Sequence, residues 1–128
     1  MAYNSFEEMP IWKKAMDLSV KIFGLTEDLP RKEDYGLTSQ IRRSALSVPA
    51  NIAEGFGRKH TRDKLNFYYN SRGSLAETKS HLIYGQSVGY FKKAECEHLM
   101  RLVGEVWKEL NMLISSMQIK TGSVSEAS

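Results

Sequence analysis

Arg58, Lys59, His60, Arg62 and Lys64 fall within a seven-residue stretch, the densest run of basic side chains in the chain. Guanidinium and ammonium groups this close together can reach several phosphate oxygens at once. They have no evident geometry for reading base edges, so the chemistry they offer is nucleic-acid binding without strong sequence preference. Residues 31 to 64 hold eight Lys or Arg against four Asp or Glu. The whole chain carries a net charge of only +3, so this segment supplies more than the entire surplus. The first 30 residues are acidic on balance. A solvated helix-helix turn can have the same composition, and the residues leave both readings open.

Other chemistry is thin. Glu95 and His98 have the Glu-x-x-His spacing of di-iron bundles, but such sites need a second pair and two more inward carboxylates. The nearest partner, Glu77 with His81, is spaced by four. Cys96 precedes Leu99 by three residues on the same helical face, which makes it a small core residue. There is no glycine-rich phosphate loop, no Gly-x-Ser-x-Gly elbow and no paired His on a helix. No catalytic residue, metal or cofactor is therefore expected, and the chain does not read as an enzyme. Asn51, Glu54 and Glu77 are the polar residues that stand out. A hairpin turning near residues 59 and 60 sets Glu77 opposite Arg42 and Arg43, and Asn51 opposite Tyr68 and Tyr69. The expected result is a polar network of Arg42, Arg43, Asn51, Glu54 and Glu77 that holds two helices in register.

These residues need helices to position them, and four are legible in the 128-residue chain, which reads as one domain over 1–128. The first spans about 10–29, with Ile11, Ala15, Leu18, Ile22, Leu25 and Leu29 in a 4-3 repeat. It opens on Pro10, whose missing donor costs nothing there. The second spans about 36–58, and Pro49 within it should kink the helix around Ala45 to Pro49. Ser44, Ser47 and Asn51 are near enough to compensate the lost bond. The third spans about 62–88, capped by Thr61 and stopped by Gly89. Its seam candidates, Leu65, Tyr68, Arg72, Leu75, Lys79, Leu82 and Gln86, mix apolar and long polar groups. The stripe beside them is mostly small: Tyr69, Gly73, Ala76, Ser80, Ile83 and Ser87. That stripe suits either a close approach to the second helix or a contact between subunits. The fourth helix spans about 92–118, with Leu99, Val103, Val106, Leu110, Leu113 and Met117 as its seam. Residues 121–128 are small and polar and read as a disordered tail. Short linkers force neighbours antiparallel, so the fold class is all-α, an up-down-up-down four-helix bundle. One bundle has difficulty hiding Trp12, Phe67, Phe91 and Trp107 together, which favours a homo-oligomer. The chain has no apolar run that spans a membrane and no secretory h-region, and its lone cysteine suits a reducing cytoplasm.

The strings Tyr35-Gly36-Leu37, Gln40-Ile41-Arg42-Arg43, Ser47-Val48-Pro49 and Asn51-Ile52-Ala53-Glu54-Gly55 resemble the signature of a bacterial four-helix family. Its members are often encoded within intervening sequences of 23S ribosomal RNA genes. Arg72-Gly73-Ser74-Leu75-Ala76-Glu77 and Gly89-Tyr90 are similar to the family's third helix and following turn. The resemblance covers roughly residues 6 to 118. Asn66 to Asn70 departs from it, being more aromatic and polar than the aliphatic stretch usual there. The resemblance implies a four-helix bundle, frequently a homopentamer, with no established enzymatic activity. A related branch serves as the accessory protein of diversity-generating retroelements, which implies nucleic acid and a reverse transcriptase as partners.

Two functions from different classes follow. One is a homo-oligomeric bundle whose basic pole, Arg58, Lys59, Arg62 and Lys64, engages RNA or DNA. The other is a protein-interaction scaffold on which those cations only solubilise.

Overall fold

Four α-helices and two short 3-10 turns make up the structure, a computed structural model that describes the backbone of residues 2–127 and the side chains of residues 2–119. The order is a 3-10 turn at Phe6–Glu8, α1 at Pro10–Thr26, a second 3-10 turn at Arg31–Glu33, α2 at Leu37–Gly57, α3 at Thr61–Ser87 and α4 at Lys93–Ala127. No strand occurs among the described residues. Helix α4 continues to Ala127, past the stop expected near residue 118 and through the stretch expected to be a disordered tail.

Apolar residues recurring every three or four positions give each helix a face to bury. Ile11, Ala15, Leu18 and Ile22 from α1 meet Ile41, Ala45, Val48 and Ile52 from α2 in one core. Leu75 and Leu82 from α3 and Leu99, Val103, Val106 and Leu110 from α4 complete it. Each helix packs on the next, and α1 also packs on α4. A second, smaller cluster of Leu65, Tyr68 and Ile114 lies toward the α2–α3 turn.

Helix α1 ends at Thr26, three residues before the expected stop. There the Thr26 hydroxyl bonds back to the Ile22 and Phe23 carbonyls, and Arg42 from α2 reaches across to Thr26 Oγ1 (2.8 Å) and to the Phe23 carbonyl. A cation on the last carbonyls suits the negative end of the helix dipole. Helix α2 is assigned continuously through Pro49, which is buried. The carbonyl of Ala45 has no N–H to accept from Pro49, and Ser19 of α1 supplies the donor instead, 2.8 Å away. The compensation expected from Ser44, Ser47 and Asn51 therefore comes from a neighbouring helix.

The seam of α3 differs from the expected one. Its buried residues are Leu65, Tyr68, Ser71, Leu75, Thr78, Leu82 and Gly85, so small groups take the places expected of Arg72, Lys79 and Gln86. The small stripe from Tyr69 to Ser87 is exposed, so it does not mediate the packing of α3 on α2. Helix α3 starts at Thr61, with His60 in the cap position and no side-chain cap bond. Gly89, at φ 86°, turns the chain toward α4, and Phe91 then folds back onto Gly85 as part of the core. Of the four aromatics expected to resist burial, Phe91 is buried, Trp12 and Phe67 are half-buried, and Trp107 stays exposed.

Candidate nucleic-acid interface

The α2–α3 turn collects the basic cluster. Arg58 ends α2, His60 precedes α3, and Arg58, Lys59, His60 and Arg62 are all exposed. Arg58 is the most constrained of them. Its guanidinium stacks on the Phe67 ring, 4.7 Å from the centroid, and lies 3.3 Å from Glu54, one turn back on α2. Both partners in that pair are about half exposed, so the pair orients the side chain more than it stabilises the fold.

Lys64 does something different. Its ammonium donates to the carbonyls of Gly55 (3.2 Å) and Phe56 (2.9 Å), two of the last acceptors of α2, and lies over the Phe56 ring. This closes the end of α2 and holds the two helices at a set distance. Lys64 therefore shapes the turn, while Arg58, Lys59 and Arg62 are the cations it presents outward. Asp63, also exposed, sits in the first turn of α3, where its charge favours the helix N-terminus.

The expected polar network divides among other partners. Glu54 pairs with Arg58, and Glu77 with His81 at 3.4 Å, each within its own helix. Arg42 caps α1, Arg43 is exposed, and the Asn51 amide donates to the Ser47 carbonyl and hydroxyl, both at 2.8 Å. The bonds that do cross from α2 to α3 are made by hydroxyls. Thr78 Oγ1 donates to Ser44 Oγ (2.9 Å), Ser74 Oγ to Ser47 Oγ (2.9 Å), and Ser71 Oγ to the Val48 carbonyl (2.9 Å). These contacts climb α2 while descending α3, so they fix the register that the charged residues were expected to fix. The run Ser44, Ser47 with Ser71, Ser74, Thr78, spaced by three and four, is the signal for this ladder. Its members are short enough to let the two backbones approach, which arginine and glutamate are not.

Glu95 and Cys96 both have partners within the fold. The Glu95 carboxylate accepts the Lys92 N–H at the start of α4. Cys96 is buried against the Leu82 carbonyl, and burial raises its thiol pKa, which disfavours the nucleophilic thiolate. Among the described residues, no group of three His, Cys, Asp or Glu side chains is placed to hold a metal ion. No described helix is long and apolar enough to cross a membrane.

A solved structure with the same fold comes from Bacteroides thetaiotaomicron, a protein of unknown function from the S23 ribosomal protein family. It superposes with a TM-score of 0.74 at 21% identity, over 81% of this chain and 97% of that one. No curated protein matches the chain in sequence. The family match spans residues 7–112, which takes in all of α1, α2 and α3, the basic turn and more than half of α4. Because that match covers well over half of the sequence, the chain belongs to the 23S rRNA-intervening sequence protein family.

Proposed function

We propose that this chain is a non-enzymatic, homo-oligomeric bundle of up-down-up-down topology that holds RNA or DNA phosphates on its α2–α3 turn. The observation that carries the reading is the division of labour at that turn. Lys64 bonds to the α2 carbonyls, while Arg58, Lys59 and Arg62 at the same turn are exposed together. In a closed ring every copy presents the same pole to one end, so weak patches sum without new contacts. The exposed small stripe on α3 supports a subunit contact. Five subunits and an accessory role beside a reverse transcriptase are what the family resemblance adds to this proposal, and the lone cysteine adds a cytoplasmic setting.

The test combines mass and salt dependence. Light scattering should return several times 14.6 kDa. Affinity for a single-stranded RNA should fall as salt rises, with a log-log slope of about 0.7 to 0.9 per phosphate contacted. Reversing Arg58 and Arg62 to Glu should abolish binding and leave the assembly intact, because both side chains are exposed. Binding that survives the reversal, or a wild type that binds no RNA, favours the protein-interaction scaffold. One observation speaks for that second reading: Glu54 and Asp63 sit among the same cations and reduce their net charge.

A further inference from the structure

Arg58 is more than a charge at the α2–α3 turn. Its guanidinium carbon lies 4.7 Å from the centroid of the Phe67 ring, and one of its terminal nitrogens lies 3.3 Å from Glu54 Oε2. The side chain is still 45% exposed. An ion pair in that setting contributes little to stability, and a lysine would solvate a turn equally well. What the arrangement provides is a flat cation held in place, backed by a ring, with nearly half its surface left to solvent.

The ring beneath it is anchored in turn. Phe67 is half-buried on α3, next to the buried Tyr68, and its Cβ is among the atoms closest to Gly55 of α2. Lys64, one turn earlier on α3, donates to the Gly55 and Phe56 carbonyls and fixes the spacing of the two helices there. The charges around this platform sort by sign. Glu54 pairs with Arg58, and Asp63 lies one helical turn before Phe67 on the same side of α3. Two carboxylates beside the platform disfavour a phosphate on it and leave the phosphates to the exposed Lys59 and Arg62. The platform suits a flat, uncharged group attached to those phosphates.

We infer that Arg58 on Phe67 is a stacking platform for an unpaired nucleobase, so that the turn takes single-stranded nucleic acid in preference to duplex. The inference rests on the phosphate-holding reading above and adds to it the class of strand. Guanidinium planes and aromatic rings stack bases of every kind, which fits a turn with no groups aimed at base edges. In a duplex the flat face of each base is covered by its neighbours, and the platform has nothing to stack on except at an end.

Titrating the full chain by fluorescence anisotropy separates bases from phosphates with three probes of about 12 nucleotides, within the span of one single-strand site. The probes are a mixed-sequence single-stranded RNA, the same RNA as a duplex, and a strand of abasic sugars that keeps every phosphate. Wild type should bind the base-bearing strand at least about fivefold more tightly than the abasic one, the lower end of what one base stack contributes. It should also prefer the single strand to the duplex, although the denser charge of the duplex favours phosphate contact. Arg58→Lys keeps the charge and loses the plane, and Phe67→Leu keeps an apolar contact and loses the ring. Each should erase the preference over the abasic strand and leave the salt slope unchanged. Equal affinity for base-bearing and abasic strands, a preference for duplex, or wild-type binding by Arg58→Lys would overturn the inference and leave the phosphate-holding reading standing. A uniform loss on all three probes in both variants would assign the pair to shaping the turn, and would overturn it too. A wild type that binds none of the probes overturns both readings.

Discussion

Helix α3 meets its two neighbours in opposite ways. Toward α2 it presents Ser71, Ser74 and Thr78, whose hydroxyls bridge directly to α2 groups at 2.9 Å, and further along Tyr68 presses on Gly55. Toward α4 it presents Leu75, Ala76 and Lys79 across a cavity, with Trp107 half out of the protein. The α2 side is saturated: small residues allow close approach, and the hydroxyls of Ser71, Ser74 and Thr78 each have a partner on α2. The α4 side is left open. Surface that the chain's own packing does not close is where a partner has something to gain, and surface already closed is where a mutation has something to lose.

The same substitution on the two sides should therefore have opposite signs. Gly55→Ala puts a Cβ 2.6 Å from Tyr68 Cε1 and 3.2 Å from Phe67 Cβ. Tyr68 is buried and cannot swing away, so overpacking should outweigh the gain in helix propensity and cost about 1–3 kcal/mol in urea unfolding. A neutral result would mean that the α2–α3 seam is not tight. Gly104→Ala meets nothing within 4 Å and sits mid-helix in α4. It should stabilise the chain by about 0.5–1 kcal/mol, the propensity difference alone. A loss of stability there would show that α4 is already in close contact at that point, and the contrast would collapse.

The smallest expected effect lies at the far end of the bundle. Glu33 Oε1 accepts the Leu37 N–H at the start of α2, and Oε2 accepts the Tyr90 hydroxyl at 2.8 Å. Those two bonds, the backbone one first, hold the Glu33 pKa below its ordinary 4.5. A carboxyl that titrates lower when folded supports the fold above 4.5, and the support drains away as pH falls through 4.5 toward the lower folded value. Thermal melting should show a modest loss of Tm below pH 4.5 that Glu33→Gln flattens. An unchanged profile in Glu33→Gln would remove Glu33 from the account of how the ends of α2 and α3 are tied. The α2–α3 ladder, made of hydroxyls that do not titrate in this range, should be indifferent to the same change of pH.

How much was legible follows the kind of interaction. The seams of α1 and α4 were readable because Leu, Ile and Val at spacings of three and four leave few alternatives. On α4 the spacing passes over Leu102 and Ile114, which are buried, and includes Leu113 and Met117, which are only half covered. On α3 the same spacing points to Arg72, Lys79 and Gln86, whereas Ser71, Thr78 and Gly85 are the buried residues. Hydropathy does not separate a buried serine from an exposed one; only the presence of an acceptor does, and those acceptors are on α2. Lys64 was grouped with its basic neighbours by composition, although its ammonium faces the α2 carbonyls.

By itself, the sequence determined that the chain is helical, that it has four helices, roughly where they begin and where α1, α2 and α3 end, and that basic residues crowd the α2–α3 turn. Those are consequences of periodicity, proline and glycine placement and charge count, all local properties. Tertiary structure alone decided that Ser19 satisfies the carbonyl freed by Pro49, that Arg42 and Lys64 cap helices, and that hydroxyls set the α2–α3 register. It also decided which face of α3 stays open beside Trp107. Each of these depends on which polar group comes within hydrogen-bonding distance of another far away in the chain. That distance is set by how closely two helix backbones can approach, which no single helix encodes.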